Sequence, residues 1–201
     1  MNIALIDYGA GNLPSVERAL VRLGSTSQRV SSLDGLARAE AIVLPGVGHF
    51  AALIRALDER GLREPLISAI RRGVPFLGIC LGLHALFESS EEAPELSGFG
   101  ILKGTVRALP SVAKLPHMGW NQLHPRRESR LLSGLQPDAW FYFAHSYAVV
   151  NDCASASATC SHGSDFVAAI ELENVWAVQF HPEKSAAAGA RVLSNFLELA
   201  R

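Results

Sequence analysis

Residues 74–82 read Val-Pro-Phe-Leu-Gly-Ile-Cys-Leu-Gly. The apolar run Val74–Leu77 has the composition of a buried strand, and a helical pattern begins directly after Cys80. Strand, sharp turn and helix, with a nucleophile at the tip and a glycine two residues to each side, is the construction of a nucleophile elbow. Such a turn holds the nucleophile in a strained conformation, and Gly78 and Gly82 keep neighbouring atoms from colliding there. The helix that follows aims its first backbone N–H groups at the thiol and favours the thiolate, the reactive form. Over these five residues alone, a buried structural cysteine between two packing glycines reads the same way.

A second stretch, residues 176–183, reads Trp-Ala-Val-Gln-Phe-His-Pro-Glu, a strand running into His181-Pro182-Glu183. A cysteine nucleophile needs a base that takes its proton and later returns it to the leaving group, and histidine suits neutral pH. The base needs a partner to fix its tautomer and orientation, for which a carboxylate is fitted. Glu183 lies two residues from His181, so in extended geometry both side chains point the same way. The two segments end predicted strands, and catalytic groups gather at that edge of open α/β sheets. Cys80–His181–Glu183 is therefore the expected triad. His84, one turn beyond Cys80 on the same helix, is a rival base. Its side chain points along the helix and no carboxylate is placed to orient it, which assigns His84 to the pocket wall.

The rest of the chain fits around this pair. Asn2–Asp7, Thr26–Val30 and Ala41–Leu44 pattern as strands. Leu13–Leu23, Phe50–Glu59 and Glu64–Arg72 pattern as helices, the first entered through Asn12 and Pro14. The elbow helix is expected to run to about Glu88, followed by a polar loop over 89–100. Short strands then follow at about 101–108, 140–149, 154–160, 166–172 and 175–180, and a helix over Ser185–Ala200 closes the chain. Strands alternating with helices predict an α/β fold with a central, mostly parallel sheet flanked by helices, here with an antiparallel extension. No linker is long enough for a second domain, so residues 1–201 are expected to form one.

With 201 residues, 49% of them hydrophobic, the chain can bury a substantial core. A net charge of −1 gives no sign of nucleic-acid or anionic-membrane binding. No apolar run approaches the roughly eighteen residues needed to span a bilayer. Met1–Asp7 reads as a strand without a basic leader. Cys80, Cys153 and Cys160 are an odd set without zinc spacing, as expected in a reducing cytoplasm. The histidines show no metal motif, and no cofactor is implied.

Two loops at strand ends bear on chemistry. Pro45-Gly46-Val47-Gly48 is a glycine turn able to present backbone N–H groups to an oxyanion, although an ordinary strand-to-helix turn has the same composition. Asp7-Tyr8-Gly9-Ala10-Gly11 superficially matches a dinucleotide loop, but the third glycine position is Pro14 and no acidic residue is placed for a ribose, which excludes that site.

Taken together, Gly-Ile-Cys-Leu-Gly, a distal His-Pro-Glu and a Pro-Gly-Val-Gly loop resemble the class I, triad-type glutamine amidotransferases. Asp7–Leu13, Phe87–Glu92, Pro116-His117-Met118-Gly119-Trp120-Asn121, Tyr142–Tyr147 and His181–Ser185 narrow the likeness to the glutaminase subunits of imidazole glycerol phosphate synthase. The resemblance spans essentially the whole chain. It implies hydrolysis of glutamine through a Cys80 thioester, with the N–H of Leu81 and one from Gly46, Val47 or Gly48 holding the oxyanion. It implies glutamine binding by His84, His145, Ser146 and Tyr147, and a partner interface at Asn12, Trp120, Tyr142 and Lys184. The implied partner is a (β/α)8-barrel cyclase subunit that uses the ammonia to make imidazole glycerol phosphate and AICAR from PRFAR in histidine biosynthesis. Without that partner, the Gly46–Gly48 peptide is expected to turn a carbonyl toward the site. The chain departs from the family at His84, where glutamine is usual. Two other readings stand beside this one: a free-standing cysteine hydrolase of related fold, and a flavodoxin-like module with an inert Cys80.

Overall fold

A computed structural model describes residues 1–150 and 153–201. Three runs, Ile3–Ile6 (β1), Ala41–Gly46 (β3) and Phe76–Cys80 (β4), are buried at every position. Strands apolar on both faces are those of a parallel sheet covered on both sides. Between them lie α1 (Leu13–Arg22), β2 (Ser27–Val30), the short α2 (Leu33–Ala37), α3 (Phe50–Glu59) and α4 (Arg63–Arg71). After β4 come α5 (Leu81–His84), β5 (Phe87–Ser90), β6 (Leu102–Ala108), β7 (His117–Gln122), β8 (His124–Pro125), β9 (Trp140–His145) and β10 (Tyr147–Ala148). The chain ends with β11 (Ala156–Ser161), β12 (Asp165–Leu172), β13 (Val175–Val178) and α6 (Ala186–Leu199).

The main sheet has eight strands in the order β2-β1-β3-β4-β13-β12-β11-β8. From β2 to β13 the pairing is parallel; beyond β13 it is antiparallel. Alternation along each strand splits the core into two layers. Ala4 and Ile6 face Leu53, Leu57, Leu66 and Ile70 of α3 and α4. Ile3 and Leu5 face Val16 and Leu20 of α1 and Val192 and Phe196 of α6. Two smaller sheets, β10-β6-β5 and β7-β9, stand beside this frame.

The structure departs from the expected elements in several places: α2 and β8 have no counterpart among them, and the strand expected over 140–149 breaks at Ser146 into β9 and β10, which join different sheets. The elbow helix ends at His84 instead of near Glu88, and the segment beyond it is a strand paired with β6, Phe87 opposite Leu102. The returning segment takes the carbonyls a longer helix would have used: Ala85 O accepts from Phe99 N at 2.6 Å, and Leu86 O from Leu102 N at 2.9 Å. Gly98 permits this approach, since a Cβ there would sit 2.0 Å from Phe87 O. Strand β7 has no counterpart in the sequence pattern because its residues, His-Met-Gly-Trp-Asn-Gln, lack apolar alternation; pairing with β9 holds it.

Candidate active site

Cys80 sits at the junction of β4 and α5 with φ +52° and ψ −105°. A side chain other than glycine pays about 1–3 kcal/mol for such a conformation. Three glycines let the surrounding backbone close on it. A Cβ at Gly82 would lie 2.0 Å from Leu44 O, one at Gly78 2.6 Å from Gly82 O, and one at Gly46 2.5 Å from Leu81 Cβ. The elbow is thus wedged against β3, with Gly46 opposite Cys80 in the ladder. A four-residue α5 has little dipole to offer, so support for a thiolate must come from side chains.

Those side chains arrive just past the end of β13, which runs parallel to β4 with Val178 opposite Ile79. That register sets Gln179 beside Cys80 and brings His181 over the thiol. His181 Nδ1 donates to Glu183 Oε1 at 2.9 Å, and both side chains are only 2% exposed. Burial pulls the His181 imidazole down, but the charge and hydrogen bond of Cys80, joined by those of Glu183, outweigh it and raise it to about 10. The electrostatics are those of an imidazolium held between a sulfur and a carboxylate. The base loop is stitched to β9: Ser185 Oγ donates to His181 O at 2.7 Å and accepts from Tyr142 N at 3.0 Å, while His181 N donates to Tyr142 O at 2.8 Å.

The thiol opens into a cavity of about 400 Å³, ample for a single amino acid. Leu81, Val47 and Gly48 line it on the elbow side; Gly46 lies behind them, packed on Leu81. Val47 N–H donates to Tyr8 Oη at 3.3 Å, so that amide is engaged by the first strand's end. Burial pushes the Tyr8 phenol up to about 12, keeping it protonated. His84, His145, Ser146 and Tyr147 all reach the cavity wall. His145 Nδ1 donates to Tyr147 O at 2.9 Å, leaving Nε2 to accept from His117 Nδ1 at 3.2 Å. Burial, with neighbouring histidines, holds His145 well below its ordinary value, so the ring is neutral.

Asn12 and Lys184 also line the cavity. Trp120 and Tyr142 do not; they sit edge to face on the β7–β9 ribbon, ring centroids 6.0 Å apart, with the Lys184 ammonium 5.4 Å from the Tyr142 ring. Trp120 and Met118 are 50% and 66% exposed, an apolar patch beside the site.

Three residues of the site escaped the sequence reading. Gln179 lies just past the end of β13, two residues before His181, and its proximity to the base in sequence is the available signal. Glu92 lines the cavity and accepts from Phe50 N, at the start of α3, at 2.8 Å. Tyr8 gives no local cue, because its contact with Val47 is made only by the sheet. Among the described residues no group of three or more His, Cys, Asp or Glu side chains is arranged to hold a metal ion.

The model of the family described as glutamine amidotransferase class-I matches residues 4–200. The imidazole glycerol phosphate synthase subunit HisH of Desulfitobacterium hafniense (strain Y51) is 48% identical over 195 residues, covering 96% of this chain and 92% of the relative. The same-named subunit of Methanothermobacter thermautotrophicus is 46% identical over 199 residues, covering 99% of each chain. Among solved structures, one titled crystal structure of glutamine amidotransferase superposes with a TM-score of 0.79 at 20% identity, covering 98% of each chain, a likeness of fold.

Proposed function

The chain belongs to the class-I glutamine amidotransferase family, and we propose that it is the glutaminase subunit of an imidazole glycerol phosphate synthase, acting in histidine biosynthesis. The whole chain, 1–201, works as one amidotransferase domain. One observation carries the chemistry: an elbow thiol and a carboxylate-oriented imidazole converge on a cavity the size of an amino acid.

Glutamine enters with its side-chain amide over Cys80. The zwitterionic end lies among Glu92, which offers a carboxylate to the α-ammonium, and the neutral wall of His84, His145, Ser146 and Tyr147. The thiolate attacks Cδ, and the oxyanion is held by Leu81 N–H and an N–H of the Gly46–Gly48 loop. The His181 imidazolium gives its proton to nitrogen, the C–N bond breaks, and ammonia leaves a γ-glutamyl thioester. Water then loses a proton to His181 and attacks, the C–S bond breaks, and glutamate departs from a restored thiolate–imidazolium pair. No cofactor enters these steps.

Ammonia released into water is protonated and lost as a nucleophile, which favours direct transfer to a docked partner. The relatives' designation as a subunit supports one. We assign it as a (β/α)8-barrel cyclase that converts PRFAR to imidazole glycerol phosphate and AICAR, seated on the apolar ribbon of Trp120 and Tyr142 with Lys184 and Asn12 at the cavity rim. The cysteines are free, as suits a reducing cytoplasm, and no described helix is long and apolar enough to cross a membrane. In the complex, Cys80→Ala is expected to abolish glutamine-dependent synthesis and leave synthesis from added ammonium salts. Loss of both, with fold and partner binding intact, contradicts this division of labour.

A further inference from the structure

Gln179 is the buried residue at the nucleophile that the reaction above leaves unused. It follows β13 directly, has no exposed surface, and lies two residues before His181. Its amide bridges two groups. Nε2 lies 3.6 Å from Cys80 Sγ, and Oε1 lies 2.7 Å from His84 Nε2.

The chemistry of the bridge fixes its direction. An amide oxygen only accepts, so His84 carries its ring proton on Nε2 and donates it to Gln179. Burial pushes His84 down to about 4, which keeps it in the single-proton form at neutral pH. The amide NH2 is then turned to the sulfur. The reverse orientation sets a carbonyl oxygen against the sulfur, which a thiolate repels. Since α5 is a single turn, a side-chain donor is what the site has beyond His181 to meet the sulfur's charge.

We propose that Gln179 is a further catalytic residue, donating an N–H to the Cys80 thiolate, and that His84 is the positioning residue that keeps the amide turned that way. The inference rests on the glutaminase reading for its place in the cycle. The sulfur is anionic before it attacks Cδ, neutral in the thioester, and anionic again when the C–S bond breaks and the electron pair returns to it. The Gln179 donor therefore assists the nucleophile and, in hydrolysis, the departing thiolate.

The test is alkylation of the full-length chain by iodoacetamide across pH, read by mass spectrometry on the Cys80 peptide so that Cys153 and Cys160 do not contribute. Gln179→Met conserves volume and removes the donor. The midpoint of its alkylation profile is expected about one pH unit above wild type, which is about tenfold slower labelling below both midpoints. His84→Leu is expected to shift the midpoint in the same direction, while His84→Gln, whose amide can again donate to Gln179 Oε1, restores it. A folded Gln179→Met with the wild-type midpoint overturns the proposal. If that variant does not fold, an unshifted His84→Leu overturns it instead. Shifted midpoints in a chain that hydrolyses no glutamine, even with its partner, overturn the glutaminase reading and leave the thiolate donor standing.

Discussion

A single methyl group at Gly82 tests whether the wedge between β3 and the elbow sets the nucleophile's position. A Cβ there meets Leu44 O at 2.0 Å and Leu44 C at 3.1 Å, where ordinary contact begins at 3.4 Å. The obstructing atom is a backbone carbonyl in the middle of a sheet, so it cannot rotate aside; α5 and β3 must part by more than 1 Å. Leu44 is paired with Gly78 and Gly46 with Cys80, so the displacement reaches the thiol itself. Overpacking of this kind costs about 1–3 kcal/mol, and the rigidity of the obstacle puts Gly82→Ala at the upper end. Displacing a reacting group by about 1 Å costs about 10²-fold in rate. Urea unfolding and glutamate release by the complex at saturating glutamine measure the two effects. Gly24→Ala is the control: φ is +73° and nothing lies within 4 Å of the added Cβ. It should lose about 1–2 kcal/mol from its left-handed conformation and no turnover. A Gly82→Ala variant with wild-type stability and turnover refutes the wedge.

The base assignment predicts that His181→Ala lowers glutaminase turnover by several orders of magnitude, because triad members act as a unit, and that Glu183→Gln costs less by leaving the base in place. A near-normal His181→Ala rate in the complex would send the role elsewhere. His84 predicts a pH dependence of stability. Its folded value is about 4 against an ordinary value near 6.5, so between them only the unfolded chain takes up the proton. Stability is complete above about pH 6.5 and falls by about 3 kcal/mol as pH drops to 4; His84→Gln should lose that much less over the same range in urea titrations. Tyr8→Phe removes the acceptor that engages Val47 N–H. One oxyanion donor is worth about 10²–10³ in rate, so resting glutaminase of the isolated chain should rise and the activation on adding partner and acceptor ligand should shrink; an unchanged ratio speaks against that amide as the gate.

What the sequence reveals of this fold is what local patterning controls. Strands β1, β3 and β4 are apolar throughout, and α3 spans Phe50–Glu59 as its periodicity predicts. The positive φ at Cys80 is foreshadowed by its flanking glycines, which no local propensity explains otherwise. Pattern fails where a distant segment decides. Ala85–Phe87 are buried and read as a continuing helix, but Gly98–Leu102 return from the loop to take their carbonyls. β7 is polar and half-exposed, and becomes a strand because β9 lies beside it. In the site, Cys80 and His181 are legible because each follows a predicted strand; Glu183 meets His181 as expected, but from a short 3-10 turn over Pro182–Lys184 and not from extended backbone. Glu92 and Tyr8 reach the cavity and its loop only through tertiary contacts.

The placement of β13 between β4 and β12 has a consequence for how the molecule comes into being. During synthesis, β1 to β4 and the helices α1 to α4 are complete when residue 80 has emerged, yet β4 then has one side unpaired and α6 is still to come. Its neighbour is the last strand of the chain. Until that strand is made, a fully apolar β4 offers an open backbone edge to any other nascent chain. The same order keeps the thiol harmless: without Gln179, His181 and Glu183 beside it, Cys80 is an unassisted cysteine. The final strand therefore seals the edge and arms the nucleophile in one event, and a ribosome-bound chain lacking it should be both chemically inert and prone to aggregate.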